Sequence, residues 1–318
     1  MTARLTVLLA LSLALVAPAR AELQIASDRL AADGWVRANA HYWTVDNSGL
    51  QASEFVFEPV AGGVGLTARL GSVISLRASS AFSSDGGIWL EDALARVEWP
   101  SGWGVTAGQF LLPLSIDALL LPQAYPLAFN GALHTGIIKP GGLRDVGVMG
   151  TYGQGMWDAA AGVVNGNGAG SWSTQNRQRK DLFGRIMVQP WRSGPWFGGR
   201  IYRAIEFDNQ AWLTWGVEAK YALGSLRLAG EFQNHISDNK PINSAYLQGL
   251  YAVGRFEPGV RLEAVLPQLE RPEINATVGA TLRPTASSFK LAAHYSYHAG
   301  LEGRWAVGEV MLRLQAEF

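Results

Sequence analysis

Histidine, serine and the charged residues are where chemistry could reside, and their spacing excludes most of it. His294 and His298 lie four apart in an alternating segment. On a strand, such residues share a face but stand about 13 Å apart, too far to ligate one metal ion at about 2.1 Å. His41, His134 and His235 are isolated from one another in the chain. No serine sits in a G-x-S-x-G elbow. The loop Gly162–Gly170, with Asn165 and Asn167, lacks the Gly-Lys-Ser/Thr ending and following helix of a phosphate cradle. The chain has no cysteine, which removes haem and iron–sulfur attachment. No catalytic centre, metal or cofactor is expected. What remains is a set of polar and charged side chains spread along the chain, the pattern of a lining.

The elements that would carry such a lining begin after residue 21. Met1–Ala21 has a basic Arg4, an apolar run from Leu5 to Val16, and small residues at Ala19 and Ala21. This is the three-part layout of a secretory signal peptide, so residues 1–21 are expected to be a signal peptide and 22–318 the mature domain. Hydrophobic residues make up 48% of the chain and charged residues only 16%, where a soluble domain carries about 25%. Low charge without long apolar runs implies apolar side chains distributed by alternation, as on the lipid face of a barrel. Basic and acidic residues balance at 26 each, which argues against a nucleic-acid partner.

Alternation with period 2 is clearest near the end of the chain. In Ser288–Gly300, Phe289, Leu291, Ala293, Tyr295 and Tyr297 oppose Lys290, Ala292, His294, Ser296 and His298. Ser225–His235 and Arg304–Phe318 repeat the arrangement. Extended through the chain, the pattern predicts an all-β fold: a transmembrane antiparallel β-barrel of about 16 strands, residues 53–69 forming one of them. Trp35, Trp43, Trp89, Trp99, Trp191 and Trp196 fall beside predicted strand ends, as an interfacial girdle requires. One stretch breaks the rhythm. Leu111–Gly142 contains four Pro and four Gly, and only Asp117 and Lys139 are charged. So apolar a loop would be poorly placed in water, and it is expected to fold inward as a constriction loop.

At particular residues a resemblance appears. Glu91-Asp92-Ala93, Gly108-Gln109-Phe110 with Pro113, and Arg144-Asp145-Val146-Gly147-Val148 look like the family of phosphate-selective porins O and P. So do Asn165-Gly166, the Arg185…Pro190 strand, and the closing Leu312-Arg313-Leu314-Gln315…Phe318. The order holds from about residue 87 to the end. The resemblance implies a 16-stranded outer-membrane barrel, commonly a homotrimer in contact with outer-membrane lipid, with its third external loop turned inward. It also implies a pore for small solutes, lined by basic residues. Here the departure is clear: the inward stretch offers only Lys139, with Arg144 just beyond it. By alternation and position, the candidate pore-lining residues are Lys139, Arg144, Arg96, Arg77, Arg37, Arg185, Arg227, Arg313, Asp92, Asp117 and His134. Basic and acidic lumen positions nearly balance, so many of the arginines are expected to pair with carboxylates on neighbouring strands, and phosphate selectivity does not carry over. The expected function is a passive outer-membrane channel for small polar or weakly charged solutes, anions among them. The alternative is a barrel sheathing a partner protein such as an electron-transfer component.

Overall fold

A computed structural model describes residues 29–47, 50–58, 60–83, 86–116, 143–166, 168, 180–205, 211–237, 240–267, 272–283, 289–300 and 305–317. The proposed signal segment and most of Leu111–Gly142 fall outside them. Seventeen strands follow in order: β1 Leu30–Asn47, β2 Leu50–Phe57, β3 Ala61–Leu70, β4 Ile74–Ser83, β5 Ile88–Glu98, β6 Trp103–Leu111, β7 Arg144–Gln154, β8 Trp157–Val164 and β9 Asp181–Val188. Then come β10 Trp196–Ile205, β11 Ala211–Leu223, β12 Leu226–Ser237, β13 Lys240–Tyr251, β14 Phe256–Pro267, β15 Glu273–Leu282, β16 Phe289–Gly300 and β17 Trp305–Glu317.

All pairings are antiparallel and the sheet closes, because β1 pairs with β17 on one side and with β2 and β3 on the other. The expected single strand 53–69 is in fact two. Ala40 faces Phe57 in the β1–β2 ladder and Arg37 faces Ala61 in the β1–β3 ladder, a slip of one residue. In the sequence, Pro59 falls between the two strands, and a residue without an N–H cannot donate to a ladder. Around the wall, then, there are sixteen positions, one of them divided.

The barrel is inside-out relative to a soluble protein. On β16, Leu291, Tyr295 and Tyr297 are exposed while His294 and Ser296 are buried. On β12, Leu228 is exposed while Glu231, Gln233 and His235 are buried. Apolar side chains cover the outside and polar ones face the lumen, the arrangement of a barrel that meets lipid. Trp89, Trp99 and Trp191 are exposed at strand ends or turns, as a girdle requires. Trp35 departs from that expectation: it is buried, and a Cβ on Gly63 would lie 2.5 Å from its indole nitrogen. The outward Leu262 at the centre of β14, with 55% of its surface exposed, gives a direct check on this orientation. Leu262→Arg should cost about 2–4 kcal/mol, as for a charge on the lipid face near the bilayer midplane, measured as a lowered urea midpoint in lipid vesicles. An unchanged midpoint would mean that this face does not meet lipid.

β1 starts and β17 ends at the same rim, since Trp35 pairs with Glu317. That rim carries the tight turn Gly224-Ser225 between β11 and β12, where Gly224 has φ 55° and a side chain would be strained. The opposite rim carries the two longest connections, between β6 and β7 and between β8 and β9.

Candidate functional site in the barrel lumen

The inner wall has three parts, each set by strand alternation. The first is apolar. Phe110 of β6, Met149 of β7, Val164 of β8, Phe183 of β9, and Tyr202 and Ala204 of β10 form a buried cluster, with Trp212 of β11 packed against it. Leu112 and Leu114 belong to the same cluster. After β6, therefore, the chain does not leave the barrel but turns onto its inner wall. Leu112 N still donates to Leu143 O at 2.8 Å, and Leu114 N donates to Leu112 O at 2.8 Å. The inward course expected of Leu111–Gly142 holds for its first residues, through Ile116; Asp117, His134 and Lys139 lie outside the described residues.

The second part is an ionic quartet. Across β9–β10, Arg185 faces Arg200, and across β11–β12, Glu218 faces Glu231. Like charges directly opposite are unfavourable, and diagonal pairing offsets this. Arg185 donates to Glu218, and Arg200 lies 2.8 Å from Glu231 and 3.8 Å from Glu218. These four side chains are at most 4% exposed. Arg185 also reaches the exposed Asp158 at 3.6 Å. Beyond the quartet, Tyr246 donates to Glu231 at 3.0 Å, and the Arg261 guanidinium stacks 3.7 Å from the Tyr246 ring centroid while pairing with Glu263 at 3.6 Å.

The third part gathers residues that carry the family resemblance. Between β4 and β5 the register shifts at Ser79/Ser80, which leaves Glu91 outside the ladder. Gln109 donates to the carbonyls of Leu90 and Glu91 at 2.8 and 2.9 Å, satisfying groups the irregularity frees. Arg144 pairs with Asp92 at 3.1 Å and Glu91 at 3.5 Å, and Arg77 with Asp33 at 2.7 Å and Asp92 at 3.5 Å. Asp145 accepts from Val146 N at 2.7 Å and Gly168 N at 3.4 Å. Glu91, Asp92, Gln109, Arg144 and Asp145 thus meet where the long connection leaves and rejoins the wall.

The remaining candidates are dispersed. Arg37 stacks over Trp35 at 5.2 Å. Arg313 donates to Asn39 at 3.0 Å. Arg96 donates to Thr106 at 3.2 Å and lies 3.8 Å from Glu98. Arg227 pairs with Glu257, and Lys290 with Glu317. His41 sits between Glu309 at 2.6 Å and Glu58 at 3.1 Å. The expected pairing of basic residues with carboxylates is therefore present at Arg77, Arg144, Arg185, Arg200 and Arg227. Sequence reasoning missed the apolar patch, although Phe110, Met149, Phe183, Tyr202 and Trp212 occupy inward positions of their strands. The alternation of Ser225–His235 puts Glu231 on its polar face, with nothing in the sequence to single it out.

No protein-family model matches the chain, and no curated protein matches it in sequence. Solved structures do match in fold. An anion-selective porin from Comamonas acidovorans has a TM-score of 0.70 at 15% identity, over 91% of this chain and 99% of the other. OmpF of Salmonella typhi, in complex with daunomycin, has a TM-score of 0.70 at 9% identity, over 91% and 98%. The fold is shared with outer-membrane porins. OmpT of Vibrio cholerae, an outer membrane protein solved in a trimer form, has a TM-score of 0.66 at 13% identity, over 92% of this chain and 100% of the other.

Proposed function

We propose that this chain is an outer-membrane porin: a passive, non-catalytic channel for small polar or weakly charged solutes, assembled as a homotrimer. The observation that carries the reading is a polar, charge-compensated inner face enclosed by an apolar outer one, with Leu112–Ile116 entering the lumen. Likeness in fold to outer-membrane porins supports the location, and the trimer form of the Vibrio cholerae protein supports the assembly. Most lumen arginines already face a carboxylate, so little fixed charge is left to favour one ion sign. Strong selectivity for phosphate is for the same reason not expected, although Glu91-Asp92, Gly108-Gln109-Phe110 and Arg144-Asp145 keep the likeness to porins O and P.

Purified barrel in planar bilayers should give discrete conductance steps, and its reversal potential in a salt gradient should stay close to zero. Absence of steps would sink the channel reading. Steps with a strongly anion-selective potential would leave the channel standing and overturn the charge-compensated pore.

A further inference from the structure

We infer that Glu231 is a positioning residue for the pore: it holds Leu112–Ile116 in place inside the lumen and thereby sets the free cross-section. The inference rests on the channel reading above. Glu231 belongs to β12, six strands along the wall from β6, where the segment starts. Its carboxylate accepts from four donors on three different parts of the chain. Ser115 Oγ lies 2.9 and 2.8 Å from its two oxygens, and Ile116 N donates to Oε1. Arg200 Nη1 donates at 2.8 Å and Tyr246 Oη at 3.0 Å.

Three consequences follow from this convergence. An ionised carboxylate offers about four lone-pair sites, so Glu231 has no free capacity for a permeating solute, and Ser115 is itself wholly buried. Arg200 neutralises the Glu231 charge, so the residue adds little to ion selectivity. The apolar contacts of Leu112 and Leu114 hold the segment on the wall of β6–β10 but are non-directional. The charge-assisted hydrogen bonds from Ser115 and Ile116 supply direction. Hydrophobic packing brings the segment inward, and Glu231 fixes where it stops.

A residue that served only the wall would matter through Arg200 and Tyr246, whereas a positioning residue matters through Ser115. Ser115→Ala removes the segment's side-chain hydrogen bonds to Glu231, leaving only that from Ile116 N, and does not touch the wall; Glu231→Gln removes the charge and keeps the shape. Both should raise single-channel conductance, on the order of twofold for an obstruction released from a wide pore, and should admit larger neutral sugars in liposome swelling. The chain has no native cysteine, which allows a rescue. The Ser115→Cys/Glu231→Cys double variant should show the larger conductance. Bridging its thiols with a short bis-methanethiosulfonate should restore the wild-type value, and reductant should release it again. If Glu231→Gln does not assemble, Ser115→Ala and the thiol pair decide. A conducting wild type with Ser115→Ala and the thiol pair unchanged, bridged or not, would overturn the assignment. A wild type without conductance would instead overturn the channel reading beneath it.

Discussion

Replacing Glu218 with leucine is expected to destabilise the barrel by about 3–5 kcal/mol, the range for removing one partner of a buried ion pair. The size follows from the surroundings. The Glu218 side chain is wholly buried, takes a hydrogen bond from Arg185 and lies 3.8 Å from Arg200. Without it, two guanidiniums face each other across β9–β10. Glu231 already accepts from Ser115, Ile116, Arg200 and Tyr246, and Asp158 is more than half exposed at 3.6 Å from Arg185, where screening weakens it. Water in the lumen does not rescue the arginines, because their side chains are 4% and 1% exposed. Arg185→Met/Glu218→Leu should recover most of the loss, since exchanging a whole buried pair for apolar residues is close to neutral. Urea midpoints of the refolded variants in lipid vesicles read both effects. A single variant as stable as wild type would show that the quartet is not coupled as its geometry indicates.

What alternation reveals and what it leaves hidden follow from the same physics. Which face a residue occupies depends only on its parity along a strand, so the split of Ser288–Gly300 into Leu291, Tyr295 and Tyr297 outside and His294 and Ser296 inside was readable from the chain. Which residues touch depends on register across strands, and register changes wherever a bulge intervenes. The slip at Ser79/Ser80 sets Glu91 apart from the ladder, and no period-2 pattern announces it. The break between β2 and β3 carried a readable signal in Pro59, outweighed by the apolar alternation on either side. Glu231 illustrates the limit most sharply. Its inward position was legible, yet its importance comes from Ser115, far away in the chain, whose course depends on Leu112 and Leu114 finding the apolar patch. The residues quoted for the porin O and P resemblance were legible as motifs, while their shared location at the root of the long connection required the fold. There Arg144 pairs with Asp92, which makes both part of the frame around the long connection.

That frame has one position where a small substitution should do large damage. Gly108 has φ 117°, and a Cβ there would lie 2.1 Å from Ala93 O and 2.9 Å from Leu94 Cα, both backbone atoms that cannot swing aside. Its partner across β6–β7 is Gly147, where a Cβ would lie 2.1 Å from Val163 O. The backbone of Gly108 lets the next residue, Gln109, reach the carbonyls of Leu90 and Glu91, and the residue after that, Phe110, enter the apolar patch. Gly108→Ala combines a positive-φ strain of about 1–3 kcal/mol with an overpacking cost of about 1–3 kcal/mol, and it also disturbs the Gln109 contacts. Gly150→Ala on the neighbouring β7 is the matched control. Its φ is ordinary, and the nearest atom to its Cβ would be Ala161 O at 3.9 Å, so little change is expected. Folded yield, read from heat-modifiable migration, should fall steeply for Gly108→Ala and hold for Gly150→Ala. The Gly108→Ala barrels that do fold should show broadened conductance, because Phe110 carries Leu112 and Leu114 with it. Equal yields would mean that β6 can relax around a methyl group, and that the positive-φ backbone at Gly108 is not what directs the chain into the lumen.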